Sequence, residues 1–547
     1  MVHLINFNLL IGSSILVFIF SILLTSSISF TLGYSISWIE IFLAICISLA
    51  FDWWGVSRYF REHRLKTLGI LCSSVLIIFL SSMYISGKCF DLSYDGQTYH
   101  QEAIIQLAHG WNPFYEDVAP EAHPCYHLIN SFSKGSWIAA AALYKITGTI
   151  EQSKAFNFLL MFASLFISFA AALCFNKITL KTAAILSILL SFNPVSICQS
   201  LSFYVDGQLS SLLICLASLA YLLFSRWDKT IILVIALNII MALNVKFTGV
   251  VYGSIFILGL LSYFFLYGKA KFGSRVLILS VFSILVGICF IGYSPYIRNT
   301  LRHGHPFYPL LGPRSVDVVT SNVPGNFLGM NRFERLFLSI FSKSGNVWKP
   351  AVSTLKWPFK VSRSELNTFG FPDTRVGGWG PLFGGAIIIS IVILLIAFGI
   401  DLPKTKMAAW ASLLIIISII PNWESWWARF SPQLWMMPMP FFILSKYIQR
   451  GLVKHLGHIL IFVLAINVIL VSISYVRWQY HVNGLLKQQL TSIAKEQDPV
   501  LVNFADFRSN RVRFNELGIR YKEIEEFECL KYTQLISSNA RICIEKP

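Results

Sequence analysis

The stretch Asp91-Leu-Ser-Tyr-Asp95-Gly-Gln-Thr-Tyr99-His100-Gln-Glu102 is a polar, acid-bearing island, and apolar segments of membrane-spanning length lie on both sides of it. It continues through Gly110-Trp-Asn-Pro113. Three carboxylates fall within these twelve residues, whereas the preceding ninety hold only Glu40, Asp52 and Glu62. Because a carboxylate is costly to place near a membrane, the island is a candidate functional site. We interpret the rest of the chain as the frame that holds it.

The composition is typical of a polytopic α-helical membrane protein. Of 547 residues, 55% are hydrophobic and 13% are charged, against about 25% charged in soluble domains. The uncharged stretches 9–29 and 383–400 are long enough to cross roughly 30 Å of hydrocarbon. Segment 9–24 resembles a signal peptide. Because no Lys or Arg precedes it and more spans follow, we interpret it as a retained first helix.

Apolar segments predict thirteen transmembrane helices. They are 9–31, 36–54, 67–86, 155–175, 182–200, 204–224, 230–245, 247–267, 276–295, 381–400, 407–421, 432–448 and 457–476. The predicted fold is therefore an all-α polytopic membrane protein with amphipathic helices at its outer face. A polar segment with mixed charge follows the last span, and we expect it to form a small α/β appendage.

Short basic loops fix the predicted orientation. Lys and Arg gather between spans at 56–66, 177–181, 226–229, 269–275, 404–406 and 450–454. All these loops lie on one side if the N-terminus is cytoplasmic, as the positive-inside rule requires. The C-terminus is then extracytoplasmic, and we expect the protein in a bacterial inner membrane. Segment 136–150 is apolar, but counting it as a span would reverse every later loop, so we predict a helix at the outer interface.

Three large pieces are predicted outside: 87–154 and 296–380 within a transmembrane domain 1–476, and a separate domain 477–547. In the last, 499–504 favours a strand and 510–517 a helix ended by Gly518, before another strand. Four cysteines fall in the outer pieces. Cys89 with Cys125 and Cys529 with Cys543 can form disulfides in an oxidising compartment, or all four can be free thiols.

The acids of the island also have structural interpretations. The spacing of apolar residues predicts a helix over 99–109 that stops at Gly110. Asp95 stands just before it, where a carboxylate can cap free backbone N–H groups. Asp91 is expected to be a solvated loop acid, and Glu102 to face solvent or pair with a base. A second acid, Asp206, repeats the Asp-Gly-Gln tripeptide at the predicted outer start of another span.

The order of these motifs resembles the GT-C superfamily, integral-membrane glycosyltransferases that use polyprenyl-phosphate-linked sugars. Such enzymes carry an Asp-Glu-x-x-Tyr motif in the first large outer loop, then a helix and a Gly-x-x-Pro turn. Asp95-Gly-Gln-Thr-Tyr99 and Gly110-Trp-Asn-Pro113 match this layout, except that Gly96 replaces the Glu. Segment 123–151, with Gly148 and Glu151, is similar to the family's interfacial helices and Gly-containing turn.

Later motifs extend the resemblance over about residues 65–450. Asp206 stands where many members carry a second outer acid. Lys246-Phe-Thr-Gly249 resembles the family's Lys-x-x-Gly turn. Asn299 with Gly304-His-Pro-Phe-Tyr-Pro309 resembles the Asn…Gly-Asn-Pro-x-Tyr-Pro segment of bacterial members, which implicates His305 and Tyr308. The first two helices and the C-terminal segment lie outside it.

Inverting glycosyl transfer requires a carboxylate that takes the acceptor's proton and cations that stabilise the leaving lipid phosphate. The resemblance implies Asp95 as base and Asp206 as auxiliary acid. Loop 296–380 supplies eleven Lys and Arg against four acids, although each cation could instead attract anionic head groups. The candidate substrate contacts are Tyr99, His100, Glu102, Lys246, Arg298, Arg302, His305, Tyr308, Glu424 and Arg429.

The outer turn Asn422-Trp-Glu424-Ser-Trp-Trp-Ala-Arg429 is open to two interpretations. Its Trp residues are typical of an interfacial belt, and Glu424 can form an ion pair with Arg429. Alternatively, as the resemblance implies, Arg429 faces the lipid phosphate or the sugar. We expect no cofactor, because a divalent metal has no HExxH pattern or tight His/Asp cluster to support it.

The predicted activity is therefore sugar transfer from a polyprenyl-phosphate donor to a glycan or glycolipid acceptor, with membrane lipids and no nucleic acid as partners. A polysaccharide polymerase or ligase that uses a diphosphate-linked oligosaccharide is the alternative. A transporter or flippase is a further alternative, which would need charges within spans and repeated halves.

Overall fold

The computed structural model describes residues 1–448, 450–525, 529 and 531–543. In that part, helices dominate and four short strands form one sheet. The helices are α1 (Val2–Thr31), α2 (Ile39–Tyr59), α3 (Arg64–Gly87), α4 (Gln101–Ala108), α5 (Tyr126–Ser131), α6 (Gly135–Thr147), α7 (Ala155–Ala172), α8 (Leu180–Ser191), α9 (Pro194–Gln199), α10 (Asp206–Ser225), α11 (Lys229–Val245), α12 (Thr248–Leu266), α13 (Ala270–Val286), α14 (Arg298–His303), α15 (Arg332–Phe341), α16 (Arg363–Thr368), α17 (Phe383–Phe398), α18 (Leu402–Ile419), α19 (Met439–Ile448), α20 (Gly451–Ile493) and α21 (Asn510–Glu516). The strands are β1 (Val500–Asn503), β2 (Tyr521–Glu523), β3 (Tyr532–Gln534) and β4 (Arg541–Cys543).

Helix α1 lies in the middle of the helical assembly. Twenty of its 30 residues are buried, and it packs against α2, α7 and α11. Ser14 of α1 donates a hydrogen bond to the Asp52 carboxylate of α2 (3.0 Å). By contrast, α3 buries only Leu71, Ser82 and Ser86. An apolar helix with so little buried surface is suited to face lipid.

Nine helical segments of the described chain are long and apolar enough to cross a membrane. They are α1, α2, α3, Ile150–Ala172, α10, α12, Ala270–Ile291, α18 and α20. Helices α8, α11 and α17 are apolar but shorter. The structure therefore confirms a mostly helical protein with many apolar helices, whereas the count of thirteen spans stays a prediction.

Proline divides two of the predicted spans. Segment 182–200 breaks into α8 and α9, because Asn193 caps a new helix whose first residue is Pro194. Segment 432–448 breaks into a 3-10 turn (Pro432–Met436) and α19. Proline has no N–H to donate within a helix, so a new helix begins beside it.

Contacts group the loops as the charge pattern predicts. Within the predicted outer pieces, Arg298 Nη1 donates to the Pro113 carbonyl (2.5 Å). Arg513 of the C-terminal segment lies 2.9 Å from Glu151. In the opposite group, Asp228 lies 3.8 Å from Arg58 of another basic loop. Each group is thus held together by its own contacts, while the compartment that each faces stays a prediction.

Helix α6 confirms a helix in the predicted segment 136–150, although it begins at Gly135 and ends at Thr147. Nine of its thirteen residues are buried, and it packs against α4, α1 and α11. Gly148 ends it with a φ of +64°, which supports the predicted glycine turn. Helix α15 is an amphipathic helix of the loop predicted to be outside, and it leaves Phe333 and Phe337 exposed.

The C-terminal segment begins inside a long helix. Helix α20 has 43 residues, which corresponds to about 65 Å and exceeds the thickness of a bilayer core. Beyond it, the sheet order is β2-β1-β4-β3, with β1 and β2 parallel and the other pairs antiparallel. The predicted strand at 499–504, helix at 510–517 and turn at Gly518 are confirmed, and Gly518 has a φ of +66°.

One of the two candidate disulfides is present. Cys529 and Cys543 are bonded, whereas Cys89 and Cys125 are free thiols. Pairing of Cys89 with Cys125 is therefore not formed in this structure. The bond links β4 to the chain before β3.

Candidate functional site

The acid Asp91 is a structural residue and not the solvated loop acid that we predicted. Its side chain is fully buried. Oδ1 accepts the backbone N–H of Ser93 (2.7 Å), and Oδ2 accepts that of Phe203 (2.8 Å). Burial raises the pKa of the Asp91 carboxyl, against the opposing charge of Lys154. Asp91 thereby connects the first acidic segment to the turn that precedes Asp206.

The structure leaves no room for a side chain at position 96. A Cβ at this position would lie 2.0 Å from Asp91 Oδ2 and 2.1 Å from Ser93 Oγ. The Gly96 N–H donates to the same Ser93 Oγ (3.2 Å). The backbone must approach the Asp91 carboxylate this closely, so the Glu expected at the second motif position cannot be accommodated here.

Asp95 does not cap the helix that follows it. Its side chain makes no capping hydrogen bond. Instead Arg429 Nη1 donates to Asp95 Oδ2 (3.0 Å), across 334 residues of sequence. The Asp95 side chain keeps 21% of its surface exposed. The capping interpretation is wrong, and a partly accessible carboxylate faces a buried guanidinium.

Arg429 is the centre of an ionic cluster. Its Nη1 lies 3.9 Å from Asp206 Oδ2, and its Nε lies 3.2 Å from Asp373 Oδ1. The guanidinium also lies over the rings of Tyr204, Trp427 and Phe430 at 4.7–4.9 Å. Burial alone would lower the pKa of Arg429, but the carboxylates of Asp373 and Asp95 outweigh it and hold the pKa well above its ordinary value.

The second predicted acid, Asp206, joins the same cluster. It is the first residue of α10 and is buried. Asp206 Oδ1 forms an ion pair with Lys246 Nζ, and Oδ2 accepts a hydrogen bond from Gln199 (3.0 Å). Lys246 stands between α11 and α12 with 21% of its side chain exposed, and its ammonium lies over the Phe430 ring (4.3 Å).

Asp373 and Arg375 complete the cluster, and sequence reasoning did not place them in the site. Arg375 Nε lies 2.7 Å from Asp373 Oδ2, and Trp427 Nε1 donates to the Asp373 carbonyl (2.7 Å). Nothing in the sequence distinguishes Asp373 from the other three acids of its long loop. The members, hereafter the Arg429 cluster, are Asp95, Asp206, Asp373, Lys246, Arg375 and Arg429. Its three acids balance its three cations.

The partly buried Tyr99 and the buried His100 lie beside the cluster. Their rings are tilted by 34° with centroids 4.3 Å apart. Trp137 Nε1 donates to His100 Nδ1 (2.7 Å), so a neutral His100 carries its proton on Nε2. Burial lowers the pKa of His100 to about 3, although the nearby Asp206 opposes this effect. His100 is therefore neutral at physiological pH.

The predicted cations Arg298 and Arg302 lie in a second place. With Tyr308 they line a cavity of about 210 Å³, whose other walls include Asp117, Asn130 and His303. Arg298 Nη1 donates to the carbonyls of Pro113 (2.5 Å) and Glu116 (2.6 Å). Asp117 forms ion pairs with both arginines. Arg298 thus holds the 113–117 loop, whereas Arg302 is the more exposed of the two.

Aromatic rings separate the cavity from the Arg429 cluster. Phe132 packs against Tyr99 (5.7 Å) and Phe247 (6.1 Å), and Phe247 packs against Phe307 (5.6 Å). His305 accepts the Phe307 N–H (3.2 Å) and is not among the cavity's lining residues. Most of the candidate contacts therefore divide between the Arg429 cluster with its flanking rings and the cavity, whereas His305 belongs to neither.

Besides His305, two candidate substrate contacts lie outside both sites. Glu102 is buried in α4, where Gln106 donates to it (2.7 Å), so the prediction that it faces solvent or pairs with a base is wrong. Burial raises the pKa of Glu102. Glu424 lies 3.5 Å from Arg335, and not beside Arg429. The predicted Glu424–Arg429 pair is wrong because Arg429 is engaged by the acids of the cluster.

Among the residues that the structure describes, no three His, Cys, Asp or Glu side chains are grouped as metal ligands. Comparisons of the chain with protein-family models, with curated proteins and with solved structures found no match. The chemistry of the Arg429 cluster is therefore the basis for a functional assignment.

Proposed function

We propose that the chain is an inverting membrane glycosyltransferase that moves a sugar from a polyprenyl-phosphate donor to a glycan or glycolipid acceptor. One observation carries the proposal. Segments far apart in sequence bring two acids and two cations, each selected from its sequence context, into a single cluster: Asp95, Asp206, Lys246 and Arg429.

In the proposed reaction Asp95 is the general base. The acceptor oxygen attacks the anomeric carbon while its proton passes to the Asp95 carboxylate. A new C–O bond forms, the bond from the anomeric carbon to the phosphate oxygen breaks, and its electron pair leaves with the lipid phosphate. Lys246 and Arg429 supply positive charge to that leaving group. Asp206 orients both cations.

The pairing of Asp95 with Arg429 suggests an order of events. Arg429 is already shared among three carboxylates. A donor phosphate that approaches Arg429 would compete with Asp95 for the guanidinium, because both anions bind the same N–H donors of that group. Release from Arg429 would leave the Asp95 carboxylate free to accept the acceptor hydroxyl, so donor binding would prepare the base for the acceptor.

The location of the cluster supports a reaction at one membrane face. Asp95, Asp373 and Arg429 come from three segments that the charge pattern assigns to the same outer side. We propose that this side is the outer face of a bacterial inner membrane, with a cytoplasmic N-terminus. Charges gathered at one end of the helices favour group transfer over passage through the membrane.

We propose that the cavity beside Arg302 and Tyr308 binds a second polar part of the donor or the acceptor. It presents carboxylate, amide, guanidinium and aromatic groups, which are suited to hydrogen-bond and stack against a hydroxyl-rich ligand. The stacked rings of His303 and Tyr308 (3.8 Å) form one of its flat walls.

The test is an assay of the purified protein with a panel of polyprenyl-phosphate sugars and, separately, diphosphate-linked oligosaccharides. We expect transfer from a monophosphate donor that is lost in Asp95→Asn and retained in Asp317→Asn, the same chemical change at an exposed outer-loop acid. Transfer only from diphosphate-linked oligosaccharides would instead identify a polymerase or ligase. No transfer from either class would overturn the proposal.

A further inference from the structure

Helix α21 of the C-terminal segment is bonded directly to the acidic stretch that carries Asp95. Arg513 is fully buried, and its Nη2 donates to the Asp91 carbonyl (2.6 Å). Its Nη1 donates to Gln97 Oε1 (3.0 Å), and its Nε donates to Glu151 Oε1 (3.0 Å). One side chain therefore holds residues on both sides of Asp95 at the same time.

Neighbouring residues of α21 strengthen this attachment. Ser509 Oγ lies within hydrogen-bond distance of the Gln97 carbonyl (2.5 Å) and of Gln101 Oε1 (3.0 Å). Asn510 Nδ2 donates to Gln97 Oε1 (3.3 Å). On its other side, Gln97 Nε2 donates to the Ser537 carbonyl (2.7 Å). The Gln97 amide is thus enclosed by the C-terminal segment.

The hydrophobic core of the C-terminal segment also includes the acidic stretch. Leu92 is buried in one cluster with Leu486, Phe504 and Phe514. The N–H of Phe90 donates to Asn483 of α20 (2.6 Å). The chain from 90 to 92 is therefore part of the C-terminal core. Two residues of sequence separate Leu92 from Asp95.

We infer that the C-terminal segment is a positioning element of the Arg429 cluster and that Arg513 is its main positioning residue. Arg513 fixes the Asp91 backbone, and the Asp91 carboxylate in turn holds the N–H of Phe203 (2.8 Å). Phe203 begins the turn that leads to Tyr204 and Asp206. Through Asp91, the C-terminal segment sets the relative placement of the two acids of the cluster.

The chemistry of this attachment requires an arginine. Glu151 is buried and paired with both Lys154 (2.6 Å) and Arg513 (2.9 Å). It also accepts the Asp91 N–H (3.0 Å). Lysine could retain the ion pair with Glu151, but a single ammonium cannot replace a planar fork whose three nitrogens point to Gln97, Glu151 and the Asp91 carbonyl.

Hydrogen exchange of the full-length protein in detergent tests the inference without any assay of activity. We expect Arg513→Gln and Arg513→Lys to raise exchange rates of the amides in 96–104 by at least about tenfold. Arg520→Gln is the matched control in the same segment, because Arg520 is exposed and donates to the Gln497 carbonyl within the C-terminal segment. We expect that control to exchange like the wild type, and Ser509→Ala to show a smaller increase than Arg513→Gln.

Unchanged exchange over 96–104 in folded Arg513→Gln and Ser509→Ala proteins would overturn the inference. If Arg513→Gln does not fold, Arg513→Lys and Ser509→Ala decide the result. A kinetic readout rests on the proposed function: kcat of Arg513→Lys should fall about ten- to a hundredfold with donor KM unchanged, because misplaced groups slow chemistry more than binding. A comparable loss of kcat/KM that comes from a raised donor KM, and not from a reduced kcat, would also contradict the positioning role. Increased exchange in a protein without transferase activity would reject the proposed function and retain the inference.

Discussion

Arg429 Nη1 lies 3.0 Å from Asp95 Oδ2, although 334 residues separate the two in sequence. The same guanidinium contacts Asp206 and Asp373. A buried arginine shared by three carboxylates is expensive to assemble unless every charge is paired. Here the cluster balances its charge, and Asp95 and Asp373 are its accessible acids, with 21% and 20% exposure against 3% for Asp206. Asp373 also pairs with Arg375 (2.7 Å), so among the described residues Asp95 is the accessible acid that pairs only with Arg429 and is the better-placed base.

Asp95→Asn keeps the size of the side chain and one oxygen for Arg429, but it cannot accept a proton. We expect donor turnover to fall by a factor of about a hundred to ten thousand, with little change in thermal stability. Asp206→Asn should reduce turnover less and stability more, because Asp206 is buried against Lys246. Initial rates and melting temperatures of the two variants measure this, with Asp317→Asn as control. Full activity of a folded Asp95→Asn protein would assign the base elsewhere.

Substitutions of Arg429 distinguish the effect of its positive charge from the effect of its guanidinium geometry. Arg429→Ala leaves three carboxylates without their shared cation, so we expect a loss of about 3–5 kcal/mol in stability and a raised donor KM, a reduced kcat or both. Arg429→Lys should recover only part of each, because lysine lacks the bidentate fork. Donor kinetics and thermal melting measure the two effects. Arg363→Lys, at an exposed outer-loop position, should behave like the wild type; wild-type donor kinetics in Arg429→Ala would remove Arg429 from the site.

Gly96→Ala tests the close approach of backbone and carboxylate. The added Cβ would lie 2.0 Å from Asp91 Oδ2, so Asp91 or the backbone must shift. We expect a loss of roughly 1–3 kcal/mol, as for other overpacked sites, and reduced activity because Asp95 is the preceding residue. Gly69→Ala is the control, since nothing lies within 4 Å of a Cβ there. Equal melting temperatures for Gly96→Ala and the wild type would contradict the close approach.

The predicted orientation can be tested with single cysteines at exposed positions. Leu65 is 77% exposed in a predicted cytoplasmic loop, Trp357 is 81% exposed in the outer loop, and Leu517 is 45% exposed in the C-terminal segment. In a background without other accessible cysteines, an impermeant maleimide applied to intact cells should label Trp357→Cys and Leu517→Cys. Leu65→Cys should react only after permeabilisation. Labelling of Trp357→Cys and Leu65→Cys from the same side would refute the topology.

Sequence patterns located the cluster where short polar motifs interrupt long apolar segments. Asp206 and Lys246 stand at predicted outer ends of spans, and Asp95 and Arg429 stand in predicted outer loops, so the predicted order of spans places all four on one side. Asp373 lies within a long loop without periodicity, and no pattern there predicts which acid turns inward. The spans themselves were overextended at Pro194 and within 432–448, where proline starts a new helix.

The acidic stretch shows a second limit of sequence reasoning. The sequence predicts a solvated Asp91 and a Glu102 that faces solvent or pairs with a base, yet both are buried. Asp91 is contacted by Glu151, Phe203 and Arg513 of α21, all distant in sequence, and Arg513 looks like any other charge of a mixed polar segment. Burial by a remote element depends on tertiary packing, which local composition does not encode.

The low pKa of His100 predicts a specific acid sensitivity. Its pKa is about 3 in the folded protein and 6.5 in an exposed histidine, so the unfolded chain binds more protons between these values. Stability is therefore lost as pH falls through this window, by up to about 1.4 kcal/mol for each pH unit. His123, whose pKa burial lowers to about 4, contributes to the same window.

His100→Gln keeps an acceptor for Trp137 but does not titrate there. We expect its melting temperature to fall less between pH 7 and pH 4.5 than that of the wild type, while the exposed control His481→Gln should follow the wild type. Parallel pH profiles for His100→Gln and the wild type would show that His100 is charged, or exposed, in the folded protein.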